Sequence, residues 1–139
     1  MEINRKITII TDSAASTQYL AEGIAAAIEN GSFSSYSVSI LHAEQFSGTD
    51  LLPAHAIFLG CEEPKPSSFF YIEELFEHIN LAGRLCGIFS VNAKAIKYLS
   101  AIVSASETVV SSPLLAKNGT PDAVTIQNWI QNILKQGKQ

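Results

Sequence analysis

Charge is scarce in this chain: 16% of its residues are Asp, Glu, Lys or Arg, against 47% that are hydrophobic. Basic residues are scarcer still, nine against thirteen acidic ones, for a net charge of -4. That balance excludes nonspecific nucleic-acid binding, which needs basic surface to displace counterions from phosphates. Cysteine is nearly absent. Cys61 and Cys86 stand far apart, with no CxxC pair and no His at metal-ligand spacing, so neither a disulfide framework nor a metal site is expected. The three histidines, His42, His55 and His78, fall in three separate segments and read as structural or surface residues. Long apolar runs are missing too, none approaching the ~20 residues that span a bilayer. The opening Met1-Glu2-Ile3-Asn4-Arg5-Lys6 leads straight into a strand-like segment and does not read as a leader. What remains is a compact acidic domain over residues 1–139, expected to be cytoplasmic, with no membrane or nucleic-acid partner.

Apolar periodicity alternates between strand-like and helix-like along the chain. Lys6 to Thr11 is short and β-branched, as a buried parallel strand should be. A helix is expected from about Thr17 to Asn30, with Leu20, Ile24, Ala27 and Ile28 on one face and Gly31 as its stop. Tyr36 to Leu41 and Ala54 to Gly60 read as further strands, separated by a polar, turn-rich stretch without a clear helix. Ile72, Leu75, Phe76 and Ile79 then mark a second helix, with Ser67 or Ser68 as its N-cap. Leu85 to Phe89 is a fourth strand, followed by a helix carrying Ile96, Leu99, Ile102 and Val103 with Asn92 as cap. The fifth strand is Thr108 to Val110, with a continuation through Pro113 to Leu115 left open. Thr120 as N-cap and Pro121 at the first helical position open a last helix, whose stripe is Ile126, Trp129, Ile130, Ile133 and Leu134. Strict alternation of five strands with helices predicts an α/β, doubly wound five-stranded parallel sheet with helices on both faces.

Such sheets bind ligands beyond the carboxyl ends of their strands, where strand order reverses. The candidate site is therefore three loops. The first is Thr11, Asp12, Ser13, Ala14, Ala15, Ser16 and Thr17; the second is Gly60, Cys61 and Glu62; the third is Ser90, Val91 and Asn92. Four hydroxyls at a strand-to-helix turn suit a phosphate, because a helix N-terminus offers unpaired N–H groups and partial positive charge. The plainer alternative is that Ser13 or Ser16 only caps the helix.

Thr11 to Ile24, Thr-Asp-Ser-Ala-Ala-Ser-Thr-Gln-Tyr-Leu-Ala-Glu-Gly-Ile, resembles the phosphate loop of flavodoxins, where a [ST]-x-[ST]-G-N-T run precedes a helix. Leu114 to Asp122, ahead of a Trp-containing helix, is similar to the end of flavodoxin-like domains. The resemblance covers essentially the whole element order and implies strand order 2-1-3-4-5 and bound FMN. Two alignments of the loop stay open. Counted from the helix, Thr17 takes the motif's last Thr and Asp12 falls where the first phosphate-binding hydroxyl belongs. Counted from the strand, Thr11, Ser13 and Ser16 take the hydroxyl positions and Asp12 the variable one. In both, the motif's Gly is Ala and its Asn is Ala or Ser. Flavodoxins commonly sandwich the flavin between aromatics of the second and third loops, and here neither loop offers one before Phe69, Phe70 and Tyr71. Packing at the helix start is the plainer role for those three.

Two smaller resemblances lead elsewhere. Ile7 to Ala15 is similar to the opening of DegV-type fatty-acid-binding proteins, which are about twice as long. Asp12 at a strand end also resembles response-regulator receivers, yet Gly60-Cys61-Glu62 lacks their acceptor Asp. The flavodoxin resemblance thus implies an FMN-binding electron carrier, with Glu62 and Glu63 lowering the flavin's potential and a basic redox partner protein docking on the acidic surface. The alternative is a flavin-free flavodoxin-like domain serving as a binding or assembly module. No nucleophile with an adjacent general base is present to suggest a hydrolase.

Overall fold

The computed structural model describes residues 5–30, 36–45, 47–51, 53–78, 84–104, 109–110, 113–116 and 122–135. Strands β1 (Arg5–Thr11), β2 (Tyr36–His42), β3 (Ala54–Gly60) and β4 (Leu85–Ser90) alternate with helices α1 (Ala15–Asn30), α2 (Phe70–His78) and α3 (Ala93–Ser104). Two short strands, β5 (Val109–Val110) and β6 (Leu114–Leu115), precede α4 (Ala123–Lys135). All the pairings are parallel, in the order β2-β1-β3-β4-β5, with β6 also on β4. The expected 2-1-3-4-5 sheet is the observed one.

The fifth strand is split. Val109 pairs with Leu85 and Leu114 with Phe89, so the register against β4 slips by one residue between β5 and β6. Pro113 stands just before β6 and has no N–H to give to a ladder.

Burial follows the sheet's two faces, because alternate side chains of a strand point opposite ways. Ile7 and Ile9 of β1, Phe58 of β3 and Phe89 of β4 pack with Leu20 and Ile24 of α1 and with Trp129, Ile130 and Ile133 of α4. Ile10, Ile57, Leu59 and Ile88 face the other way, onto Phe69, onto Ile72 and Phe76 of α2, and onto Leu99 and Ile102 of α3. The predicted apolar stripes face the core, with Leu75 and Ile96 only half-buried at its margin; Ile79 lies outside the described residues. No helix among the described residues is long and apolar enough to cross a membrane.

Helix starts differ from expectation. Helix α1 begins at Ala15, two residues before Thr17, with the Gln18 N–H donating to the Ala14 carbonyl at 3.0 Å. Neither Ser67 nor Ser68 caps α2; Pro66 opens a 3-10 turn, Ser67–Phe69, that has no side-chain cap and runs into the helix. Asn92 does cap α3, its Oδ1 accepting from the Lys94 N–H at 3.0 Å. The cap of α4 is Asp122, whose carboxylate accepts from the Thr125 N–H at 2.8 Å; Thr120 and Pro121 lie outside the described residues. That bond, made by both the Thr125 hydroxyl and its N–H, holds the Asp122 carboxyl below its ordinary value.

Candidate functional site

The carboxyl ends of β1, β3 and β4 bring the three predicted loops together. Thr11 is the last residue of β1, and the Asp12 N–H continues the ladder by donating to the Gly60 carbonyl at 3.3 Å. Asp12 is 7% exposed. Its Oδ1 accepts from the Ala14 N–H at 3.3 Å, closing an Asx turn at the head of α1. Its Oδ2 accepts from the Glu62 N–H at 2.9 Å, across to the loop after β3. One side chain thus laces the first loop to the second.

Glu62 returns the contact. Its Oε2 accepts from the Ser16 hydroxyl at 2.9 Å. Ser16 therefore caps nothing; its hydroxyl is spent on a residue 46 positions away. Ser13 and Ala15 are exposed, and Ala14 is half-buried. The third loop is tied in by Ser90, whose hydroxyl donates to the Cys61 carbonyl at 2.6 Å and accepts from the Asn92 N–H at 3.0 Å. Val91 packs against the core on the α1 and α4 side, and Asn92 is occupied as the α3 cap.

Gly60 serves its neighbour in the sheet. It pairs with Phe89, and a Cβ on it would stand 2.2 Å from Phe89 Cε2. The bare backbone there is space for that ring. Cys61 is fully buried, and burial, aided by the Asp12 and Glu63 carboxylates, pushes its thiol up to about 12. Such a thiol is inert as a nucleophile at neutral pH.

Two hydroxyls of the first loop are spent on nothing. Thr11 is 0% and Thr17 1% exposed, and neither Oγ1 has a hydrogen-bond partner. Thr11 lies on the same sheet face as Ile7 and Ile9, toward α1, and Thr17 lies in the first turn of α1, one turn before Leu20 and Ala21. Both therefore sit between the end of β1 and the start of α1.

The described residues contain no cluster of three or more His, Cys, Asp or Glu fit for a metal ion. The aromatics beyond the second loop are engaged elsewhere. Phe69 is buried with its ring 6.4 Å from that of Tyr98, and the Tyr71 hydroxyl accepts from the Gly48 N–H at 3.3 Å. Phe70 points to solvent.

Solved structures share this arrangement of elements. Flavodoxin 2 from Bacillus cereus superimposes with a TM-score of 0.77 over 94% of this chain and 99% of its own, at 18% identity. A flavodoxin from Streptococcus pneumoniae TIGR4 gives 0.78 over 94% and 98%, at 11% identity. A short-chain flavodoxin associated with a PDU bacterial microcompartment gives 0.81 over 98% and 100%, at 9% identity. The chain has the flavodoxin fold. No family profile matches its sequence, and no curated protein does either.

The flavodoxin fold implies FMN, with its phosphate in the first loop, and the residues present do not fit that group. The Ala14 N–H in that loop already faces Asp12. Asp12 and Glu62 place two carboxylates at the head of α1, one taking the Ala14 N–H and the other the Ser16 hydroxyl. At a separation near 4 Å each pair of a carboxylate with a phosphate charge opposes binding by ~1 kcal/mol in water and ~4 kcal/mol at an effective dielectric of 20. The only basic side chain in residues 61–66 is Lys65, held with a left-handed backbone at φ 53° between two prolines.

The three loops named from the sequence lie side by side at one sheet edge, and how they are joined was for the most part not visible there. The Asp12 lacing had a visible signal, an Asp at a strand end three residues before a helix, which is the pattern of an Asx turn. The pairing of Ser16 with Glu62 had none, because nothing local links positions 46 apart.

Proposed function

We propose that this flavodoxin-like chain is a binding or assembly module that works without FMN. The observation that carries the reading is the Asp12 carboxylate, which takes an N–H from each of two loops in the stretch that resembles the flavodoxin phosphate loop. Supporting it, the Ser16 and Ser90 hydroxyls are bonded within the protein. Ala14 and Ala15 stand in the stretch where the motif has Gly and Asn. The second and third loops contribute no aromatic to hold an isoalloxazine ring. The loops are closed on one another, and the stiff parallel sheet behind them becomes a platform for a partner protein.

A second reading, an FMN-binding electron carrier that docks to a basic redox partner, is favoured by one specific feature. The Thr11 and Thr17 hydroxyls are the type of donor a phosphate uses, they stand at the head of α1, and they have no partner. Titrating the purified chain with FMN separates the two. The module reading expects no saturable quenching of flavin fluorescence and a colourless protein. Saturation at micromolar FMN, with yellow absorbance retained through desalting, would establish the carrier reading instead.

A further inference from the structure

We propose that the outer edge of β2 pairs antiparallel with the β2 edge of a second copy of this chain, joining two sheets about a twofold axis. The inference goes beyond the reading above and does not depend on it, because β2 contributes no residue to the three loops.

A sheet edge carries a row of unpaired N–H and C=O groups that can template a further strand, and sheets ordinarily protect it by shortness, proline or charge. One edge of this sheet has the first two protections: β5 and β6 are two residues each, and Pro113 stands before β6. The other edge has none. Strand β2 is seven residues long, pairs with β1 alone, and reads Tyr-Ser-Val-Ser-Ile-Leu-His, without proline or glycine. Residues 31–43 contain no Asp, Glu, Lys or Arg. Among the described residues, β2 makes one backbone bond outside its ladder with β1, from the Gln45 N–H to the His42 carbonyl at 2.9 Å. None of its residues is fully buried, whereas β1, β3 and β4 are buried along most of their length.

The strand is complementary to itself. A twofold axis at Ser39, the middle residue, sets Val38 opposite the partner's Ile40, Tyr36 opposite the partner's His42 and Ser37 opposite the partner's Leu41. Even positions meet even and odd meet odd, so each face of the joined sheet keeps its own side chains. Tyr36, Val38 and Ile40 pack on the α1 and α4 side. Across the axis, Val38 and Ile40 form the β-branched pairs that stabilise antiparallel strands, and Ser39 meets a second hydroxyl. Charge points to the same occupant. Two copies of a chain of net charge -4 repel overall, and contact between them is least opposed where neither presents a charge. A basic partner would be drawn to the acidic surface and not to this neutral edge. Seven paired residues make a smaller contact than the roughly 800 Å² per partner of a standard interface, so the dimer is expected to be weak and concentration-dependent.

Analytical ultracentrifugation of the full chain tests this, over about 1 µM to 1 mM protein to cover weak association. The mass should rise from one chain toward two, and amide exchange in residues 36–42 should slow at the high end. Ser39 is exposed, so Ser39→Lys and Ser39→Glu should keep the Tm of the monomer. Each sets like charges face to face at the axis and should weaken association about fivefold or more. Mixed in equal amounts, the two variants should dimerise at least as tightly as the unaltered chain, a recovery that damage to the fold would not give. Ser37→Lys, which faces Leu41 and no second lysine, should weaken association less than Ser39→Lys. If the Ser39 variants do not fold, the concentration dependence of exchange in the unaltered chain decides. A single-chain mass at every concentration overturns the inference and leaves the edge to a strand of another protein. A dimer that Ser39→Lys leaves intact, a mixture no tighter than either variant, or exchange in 36–42 that ignores concentration overturns it as well.

Discussion

Gly60 and Phe89 decide how closely β3 and β4 can be finished at the ligand edge. The ring of Phe89 lies across the bare backbone of Gly60, with Cε2, Cζ and Cδ2 all within 2.7 Å of where a Cβ would stand. Adding that single carbon must push the ring off its rotamer or part the strands. Overpacking of this kind costs about 1–3 kcal/mol, so Gly60→Ala should lower the urea midpoint by a corresponding amount. Pairing it with Phe89→Leu should recover part of the loss, and a double variant no better than the sum of the singles would contradict the contact. The same residue shows what a lone position can say. A glycine at the end of a strand in a ligand-binding fold reads as space for a ligand, yet here the neighbouring strand fills it. Asp12 carries the same lesson. Its carboxyl type was visible in the sequence; its partner, the Glu62 N–H, comes from 50 residues away.

Between elements, the sequence was most legible where periodicity speaks and least where caps and connections do. The stripes of α1, α3 and α4 repeat every three to four residues and are buried as that spacing requires. Helix starts were misplaced because Ser and Thr are good caps in general, and this chain has more of them than it has helices to cap. Ser16, Ser67 and Ser68 all sit near a start and none caps one, whereas Asp122 does. One joint between elements was not visible at all. Arg84, just before β4, donates from one guanidinium nitrogen to the Leu51 carbonyl at 2.9 Å and the Ala54 carbonyl at 2.8 Å, holding the approach to β3 against β4. Charge-assisted hydrogen bonds are worth about 1.5–3 kcal/mol. Arg84→Ala should therefore destabilise the chain by about 2 kcal/mol in chemical denaturation, and Arg84→Lys, whose single ammonium nitrogen also has N–H groups for both carbonyls, should recover part of that. Equal stability of all three proteins would show that the joint carries no weight.

At the scale of the whole molecule, the sheet is wrapped by α1 and α4 on one face and by α2 and α3 on the other. One consequence is a pH dependence centred on β3. His55 is held below its ordinary value of 6.5, first by burial and then by repulsion from Arg5 and Arg84. Its Nε2 is buried without a partner, and its ring lies 5.8 Å from that of Tyr36. A histidine whose folded value is depressed binds its proton more readily when unfolded. Stability is thus full above 6.5 and falls as pH drops through that value toward the lower folded one. Tm should decline between pH ~7.5 and ~5.5, and His55→Gln should flatten that part of the profile; an unchanged slope in the variant would remove His55 as its source. The sequence by itself determined the order of elements, the faces they bury and the three loops that share one edge, because apolar period and handed connections are properties of the chain read locally. Only the tertiary structure decided what that edge holds. Whether Asp12 faces away or joins the first loop to the second depends on the Glu62 N–H, brought to it by the loop after β3, and a hydrogen bond between distant residues leaves no mark on the pattern of either segment.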